Sequence, residues 1–132
     1  MSEAAPIRGI VVGHGAMPQG LVDAVRHIAG AVAGDLVAVS NEGKSPQQLA
    51  DELLAAAGDA PSIVFADLRA GSCGIAATYC CRNSDKRAIV CGVNLPMLLD
   101  FVFHRDLPLP ELVARLVDKG REAIISAPLG AP

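Results

Sequence analysis

Residues 9–20 read GIVVGHGAMPQG. The stretch is apolar from Ile10 to Val12, halts at Gly13-His14-Gly15, and meets Pro18 soon after. A short continuous apolar run that ends in glycine reads as a strand buried on both faces, as in parallel sheets. The strand is placed over Ile7–Val12. Pro18 fits the first turn of a helix. Leu21, Val22, Val25 and Ile28 then recur at helical spacing, carrying that helix to about Ala29.

The same alternation continues outward. Gly30–Gly34 reads as a loop and Leu36–Val39 as a second strand. SPQQLADELLAAAG, residues 45–58, is the clearest helix. Ser45 is its N-cap, Pro46 takes the first helical position, Gln48 completes a capping box, and Gly58 ends it. Ser62–Ala66 is a third strand, DLRAGS a loop, and a third helix runs from about Ser72 to Arg82. Asn83-Ser84-Asp85 reads as a turn and Arg87–Cys91 as a fourth strand. GVNLP leads into a helix over Met97–Phe103. Pro108 and Pro110 break it, and ELVARLVDKGREAII forms the last helix before the tail SAPLGAP. Strands alternating with helices imply right-handed βαβ crossovers. The expected fold is α/β: an open, doubly wound, mainly parallel sheet in the order 2-1-3-4, with helices on both faces. It is read as one domain over residues 1–132, fraying at about 1–6 and 126–132.

Composition narrows the function. The chain has 132 residues, 52% of them hydrophobic and none of them Trp, enough for a core of small aliphatic side chains without disulfides or a structural metal. A net charge of −3 argues against a nucleic-acid partner. MSEAAPIRG carries no signal-peptide pattern, and no apolar run nears the roughly 18 residues of a membrane span. A cytoplasmic location is expected. The cysteines are Cys73, Cys80, Cys81 and Cys91. Their spacing fits neither a zinc pattern nor a redox C-x-x-C. Cys80, Cys81 and Cys91 are read as small apolar packing groups. Cys73 falls in the first turn of a helix, where a depressed pKa is expected, but spacing gives it no resolving partner for redox sensing.

In this strand order the switch point lies between the first and third strands, and ligands bind beyond their carboxyl ends. GHGAM follows the first strand and DLRAGS the third, so His14 and Asp67 converge. A carboxylate that accepts one imidazole N–H fixes the tautomer and stabilises the cationic ring while the other nitrogen attacks. Gly71 and Ser72, the latter a candidate N-cap, stand at a helix N-terminus that favours an anion. With Gly15 they are the candidate phosphoryl-binding positions, and His14 and Asp67 the catalytic pair. Arg69, Cys73 and Asn94 are candidate walls. Asn94 is equally readable as a turn former, and Arg69 as a solvated loop residue. His27 and His104 lack such neighbours and read as surface or helix-end groups. The glycines at 13, 15 and 20 do not form G-x-G-x-x-G, and no P-loop Lys-Ser/Thr follows, which excludes a nucleotide cradle. Histidine beside an anion cradle points to phosphoryl transfer.

These residues resemble the mannose-type IIA component of the bacterial phosphoenolpyruvate-dependent sugar phosphotransferase system. IVVGHG is similar to that family's opening strand with its phosphorylated histidine. FADLRAGS is similar to its second loop, CGVNLPMLLD to its Gly-Val-Asn-Leu/Ile-Pro-Met-Leu stretch, and KGREAI to its last helix. The likeness runs from about Ile7 to Ile124. It implies that His14 accepts a phosphoryl group from the phosphocarrier HPr and passes it to a IIB domain, with no metal or organic cofactor. It also implies a homodimer with a strand exchanged between subunits, and a membrane role only indirectly, through a permease complex. Ala70 and Cys73 stand where the family usually has glycine and proline. The alternatives are a regulatory module whose phosphorylation state is read by a protein target, and an inert flavodoxin-like binding domain.

Overall fold

The computed structural model describes residues 6–82 and 84–128. Its elements are β1 (Arg8–Gly13), α1 (Met17–Ala29), a 3-10 turn (Gly30–Ala33), β2 (Leu36–Ser40), α2 (Pro46–Ala57), β3 (Ser62–Ala66), α3 (Gly71–Cys81), β4 (Arg87–Cys91), α4 (Leu95–Val102) and α5 (Leu109–Glu122). The four strands are parallel in the order β2-β1-β3-β4. The expected fold class and strand order are those observed. Element ends differ by a few residues: α3 starts at Gly71, α4 at Leu95, and α5 stops at Glu122, leaving Ile124 and Ile125 exposed. The loop expected at Gly30–Gly34 is mostly a 3-10 turn. Asn83, read as part of a turn, lies outside the described residues, as do 1–5 and 129–132 of the two ends read as frayed.

Alternation along the central strands divides the core in two. Ile10, Val12, Val64 and Ala66 face α2 and α3, while Val11, Ile63 and Phe65 face α1, α4 and α5. With both faces covered, the strands carry apolar side chains at nearly every position, the pattern that the opening run displayed. Phe101 of α4 meets Phe65 edge-on, at 5.2 Å between ring centroids and 73° between planes. Gly9 makes this fit possible: a Cβ there would stand 2.6 Å from the Phe101 ring and 2.8 Å from Leu36.

The α2 capping box forms as read. The Ser45 hydroxyl accepts the Gln48 N–H at 3.2 Å, and the Gln48 side-chain oxygen accepts the Ser45 N–H at 2.8 Å. Ser45→Ala removes one of these bonds, and the expected loss is about 1 kcal/mol of stability, read as a lower urea midpoint with unchanged slope.

Candidate functional site

The site grows from strand register. Val12 of β1 stands opposite Ala66 of β3, so the residues that leave the two strands emerge side by side. The Asp67 N–H donates to Val12 O at 3.2 Å, which extends the ladder to the rim. Gly13 lacks a Cβ where one would lie 3.2 Å from the Asp67 carboxylate and 2.6 Å from the Met17 methyl. Its role is thus beneath the histidine, making room for the carboxylate and for α1.

His14 and Asp67 meet. Asp67 Oδ2 lies 2.7 Å from His14 Nδ1 and accepts the His14 backbone N–H at 3.0 Å, while Oδ1 accepts the Leu68 N–H at 2.8 Å. Burial pushes the Asp67 pKa up. The hydrogen bonds from the His14 ring, the His14 amide and the Leu68 amide, together with the His14 charge, outweigh it and hold the carboxyl below its ordinary value. An ionised carboxylate only accepts, so Nδ1 holds a proton toward Asp67, and in the neutral form of that ring the lone pair is on Nε2. The His14 side chain is 46% exposed, against 15% for Asp67.

Gly71 flanks the free face of the ring. Its φ is +90°, and a Cβ there would sit 3.8 Å from His14 Cε1 and 3.9 Å from Nε2. The N-cap of α3 is Ala70, not Ser72, and no side chain caps it. The helix begins one residue before its serine, and the positive φ at that first residue is one that glycine adopts readily. Ser72 therefore stands in the first turn. The first amides of a helix lack intrahelical acceptors and carry the positive end of its dipole.

Other sequence-derived candidates fare differently. The Gly15 N–H is already bonded to the Asn41 side-chain oxygen at 3.1 Å, with a φ of +61°. Asn94 caps α4 by accepting the Met97 N–H at 3.0 Å and donates to Gly120 O at 2.9 Å, which ties α4 to α5. Its turn-forming reading describes what the side chain does. Arg69 is exposed in the loop and makes no ion pair among the described residues. Cys73 is buried, with Sγ 3.7 Å from His14 Nδ1. The expected depression of its pKa is corrected: burial and the Asp67 charge raise it, against a hydrogen bond from Ser72. Cys80 is fully buried and Cys81 and Cys91 are half-buried, packed between the sheet and α3. His27 is exposed on α1, and His104 closes α4 with Nδ1 2.7 Å from Asp100 O.

Three supporting residues escaped the sequence reading. Ser40 Oγ donates to Gly15 O at 2.8 Å, and the Asn41 N–H donates to Gly13 O at 3.0 Å while its side chain holds Gly15. Ser40 ends β2 and Asn41 follows it, and β2 is the neighbour of β1, so the strand order was the signal that could have found them. Gly74 is the third. A Cβ there would overlap Arg69 O and come within 2.7 Å of Leu68 O. The Asp67 loop thus rests directly on α3. Gly74→Ala is expected to lower stability by about 1–3 kcal/mol through overpacking, and to slow chemistry at His14 because the displaced loop carries Asp67. Urea unfolding and an activity assay on the folded variant check both effects.

No curated protein matches the sequence significantly. Solved structures do match the fold. A phosphotransferase system component EIIA from Streptococcus agalactiae is 24% identical with a TM-score of 0.84, covering 91% of this chain and 96% of its own. The mannose/sorbose specific IIA subunit from Enterococcus faecalis is also 24% identical, with a TM-score of 0.82 and coverage of 94% and 96%. A sigma-54 interaction domain protein from Enterococcus faecalis is 11% identical, with a TM-score of 0.73 and coverage of 92% and 94%. Among the described residues no helix is long and apolar enough to cross a membrane. Residues 9–117 match the family model described as PTS system fructose IIA component, and with the histidine, its carboxylate and the strand order in place, the chain belongs to that family of phosphotransferase-system IIA components.

Proposed function

We propose that the protein is a phosphoryl carrier in which Nε2 of His14 takes the phosphoryl group from phospho-HPr and passes it to a IIB domain. The observation that carries this reading is the 2.7 Å contact of Nδ1 with an ionised Asp67, which leaves Nε2 as the nucleophile on the exposed side of the ring. In the transfer, the Nε2–P bond forms as the P–N bond to the donor's imidazole breaks. The ring becomes cationic, and Asp67 balances that charge. The first-turn amides at Gly71 and Ser72 face the phosphoryl oxygens, with Arg69 free to approach them. No covalent help beyond positioning and charge is required.

The test is direct. The protein is incubated with phosphoenolpyruvate, enzyme I and HPr from its own organism. An acid-labile, base-stable phosphoryl adduct is expected. A protein that stays unlabelled overturns the reading. Acceptance should also fall as the medium is acidified, because a protonated Nε2 has no lone pair to attack with; a rate that climbs toward pH 5 contradicts it.

A homodimer belongs to the same proposal. The outer edge of β4 pairs with no strand among the described residues, and an open edge is a ready template for a strand from a second copy. Ile124 and Ile125, 76% and 82% exposed just after α5, supply apolar residues suited to such an addition. Sedimentation equilibrium at micromolar protein should report the dimer mass.

A further inference from the structure

Cysteine spacing gave no reason to look for a metal site, yet folding assembles a donor set at the nucleophile. Around His14 Nδ1 lie Asp67 Oδ2 at 2.7 Å and Cys73 Sγ at 3.7 Å. The three ligating atoms fall within 4.8 Å of one another, and this is the one such group of three among the described residues. They come from the ends of β1 and β3 and the first turn of α3, so no sequence motif announces them.

The donor types select the ion. Thiolate with imidazole and one carboxylate oxygen suits a borderline-soft divalent cation, zinc above all, and three protein donors leave one position open. Ordinary Zn–N and Zn–S lengths at a tetrahedral angle place nitrogen and sulfur about 3.6 Å apart, close to the 3.7 Å found. Nitrogen and oxygen would stand about 3.4 Å apart, wider than the 2.7 Å now spanned by a proton. An ion replacing that proton must part the pair by on the order of 0.7 Å. His14 lies on an exposed turn and has room to do so.

We propose that His14, Asp67 and Cys73 form a binding site for a zinc-like divalent cation, and that the bound ion silences the phosphoryl acceptor. The second half rests on the carrier function proposed above. Bonds form from the ion to Nδ1, Sγ and a carboxylate oxygen in place of its water ligands. The Cys73 thiol proton leaves to solvent, the ring proton moves from Nδ1 to Nε2 through solvent, and no electrons are exchanged. With its proton on Nε2 the ring has no lone pair facing the donor. The ion is an inhibitor here and takes no part in the transfer.

Cobalt(II) is the probe for the site. Metal-free protein should develop a thiolate-to-cobalt charge-transfer band with one equivalent, and Cys73→Ala should lack it. Zinc affinity should fall by about 100-fold or more in that variant, since a ligand and not merely its support is lost. Nitrogen-15 NMR of the wild type with zinc should show the His14 ring proton on Nε2, a readout that needs no variant. Labelling from isolated phospho-HPr should fall with zinc and recover with a chelator in the wild type. In Cys73→Ala, the ratio of labelling with and without the same zinc should stay near one. A missing band, a band that survives Cys73→Ala, or a ring proton that stays on Nδ1 overturns the site. A band without any change in labelling overturns the silencing. Absence of labelling before metal is added counts against the carrier function instead, and the cobalt band then decides the metal site on its own.

Discussion

Replacing His14 by alanine is expected to abolish acid-labile phosphorylation while leaving the fold almost as stable as before. The first half follows from chemistry: with the ring gone, the loop holds no other nitrogen nucleophile. His27 lies exposed on α1, and His104 is bonded to the backbone of Asp100 at the end of α4. The second half follows from geometry. The removed ring is 46% exposed, so the cost is chiefly that of the one hydrogen bond it makes, about 1 kcal/mol. Asp67 loses one hydrogen bond but keeps the backbone N–H of residue 14 at 3.0 Å and that of Leu68 at 2.8 Å. The carboxylate therefore stays anchored in the variant. Measuring the label and the thermal transition on one preparation separates loss of the nucleophile from loss of the fold. Residual label on the alanine variant would move the acceptor elsewhere in the chain.

What the sequence revealed of this site, and what it hid, divides along a physical line. Contacts set by strand order were legible. Once β1 and β3 were read as neighbours in a parallel sheet, the residues leaving them had to emerge together, and the register of Val12 with Ala66 brings His14 to Asp67. Contacts set by how closely two elements approach were not. Nothing in GSCGIAA says that the Asp67 loop lies on Gly74, because that glycine sits inside a regular helix and has no unusual backbone angle to demand it. The Cys73 thiol shows the same division. Its place in the first helical turn was readable, and a helix N-terminus alone lowers a thiol pKa. Its burial under the sheet edge, which reverses the direction, depends on α3 packing against β3. Ser72 misled for a local reason: serine is a favoured N-cap, but α3 starts at Gly71 behind Ala70 and has no side-chain cap.

Asp67→Asn should cut the rate of phosphoryl acceptance by about 100-fold or more without unfolding the protein. The two carboxylate oxygens together accept three N–H groups: the His14 amide and ring at Oδ2, and the Leu68 amide at Oδ1. An asparagine offers one acceptor oxygen and one donor nitrogen. If its NH₂ turns toward Leu68, two donors oppose each other there, while the His14 ring keeps its tautomer but loses its counter-charge. If its NH₂ turns toward His14, it donates to Nδ1 and drives the ring proton onto Nε2, where the phosphoryl group must go. Either orientation removes the negative charge that balances the phosphorylated ring, and one of them also removes the nucleophile. Single-turnover labelling gives the rate, and nitrogen-15 NMR of the ring distinguishes the two orientations. An unchanged rate with the ring proton still on Nδ1 would mean that Asp67 serves only to tie the loop, through the two backbone amides it also holds.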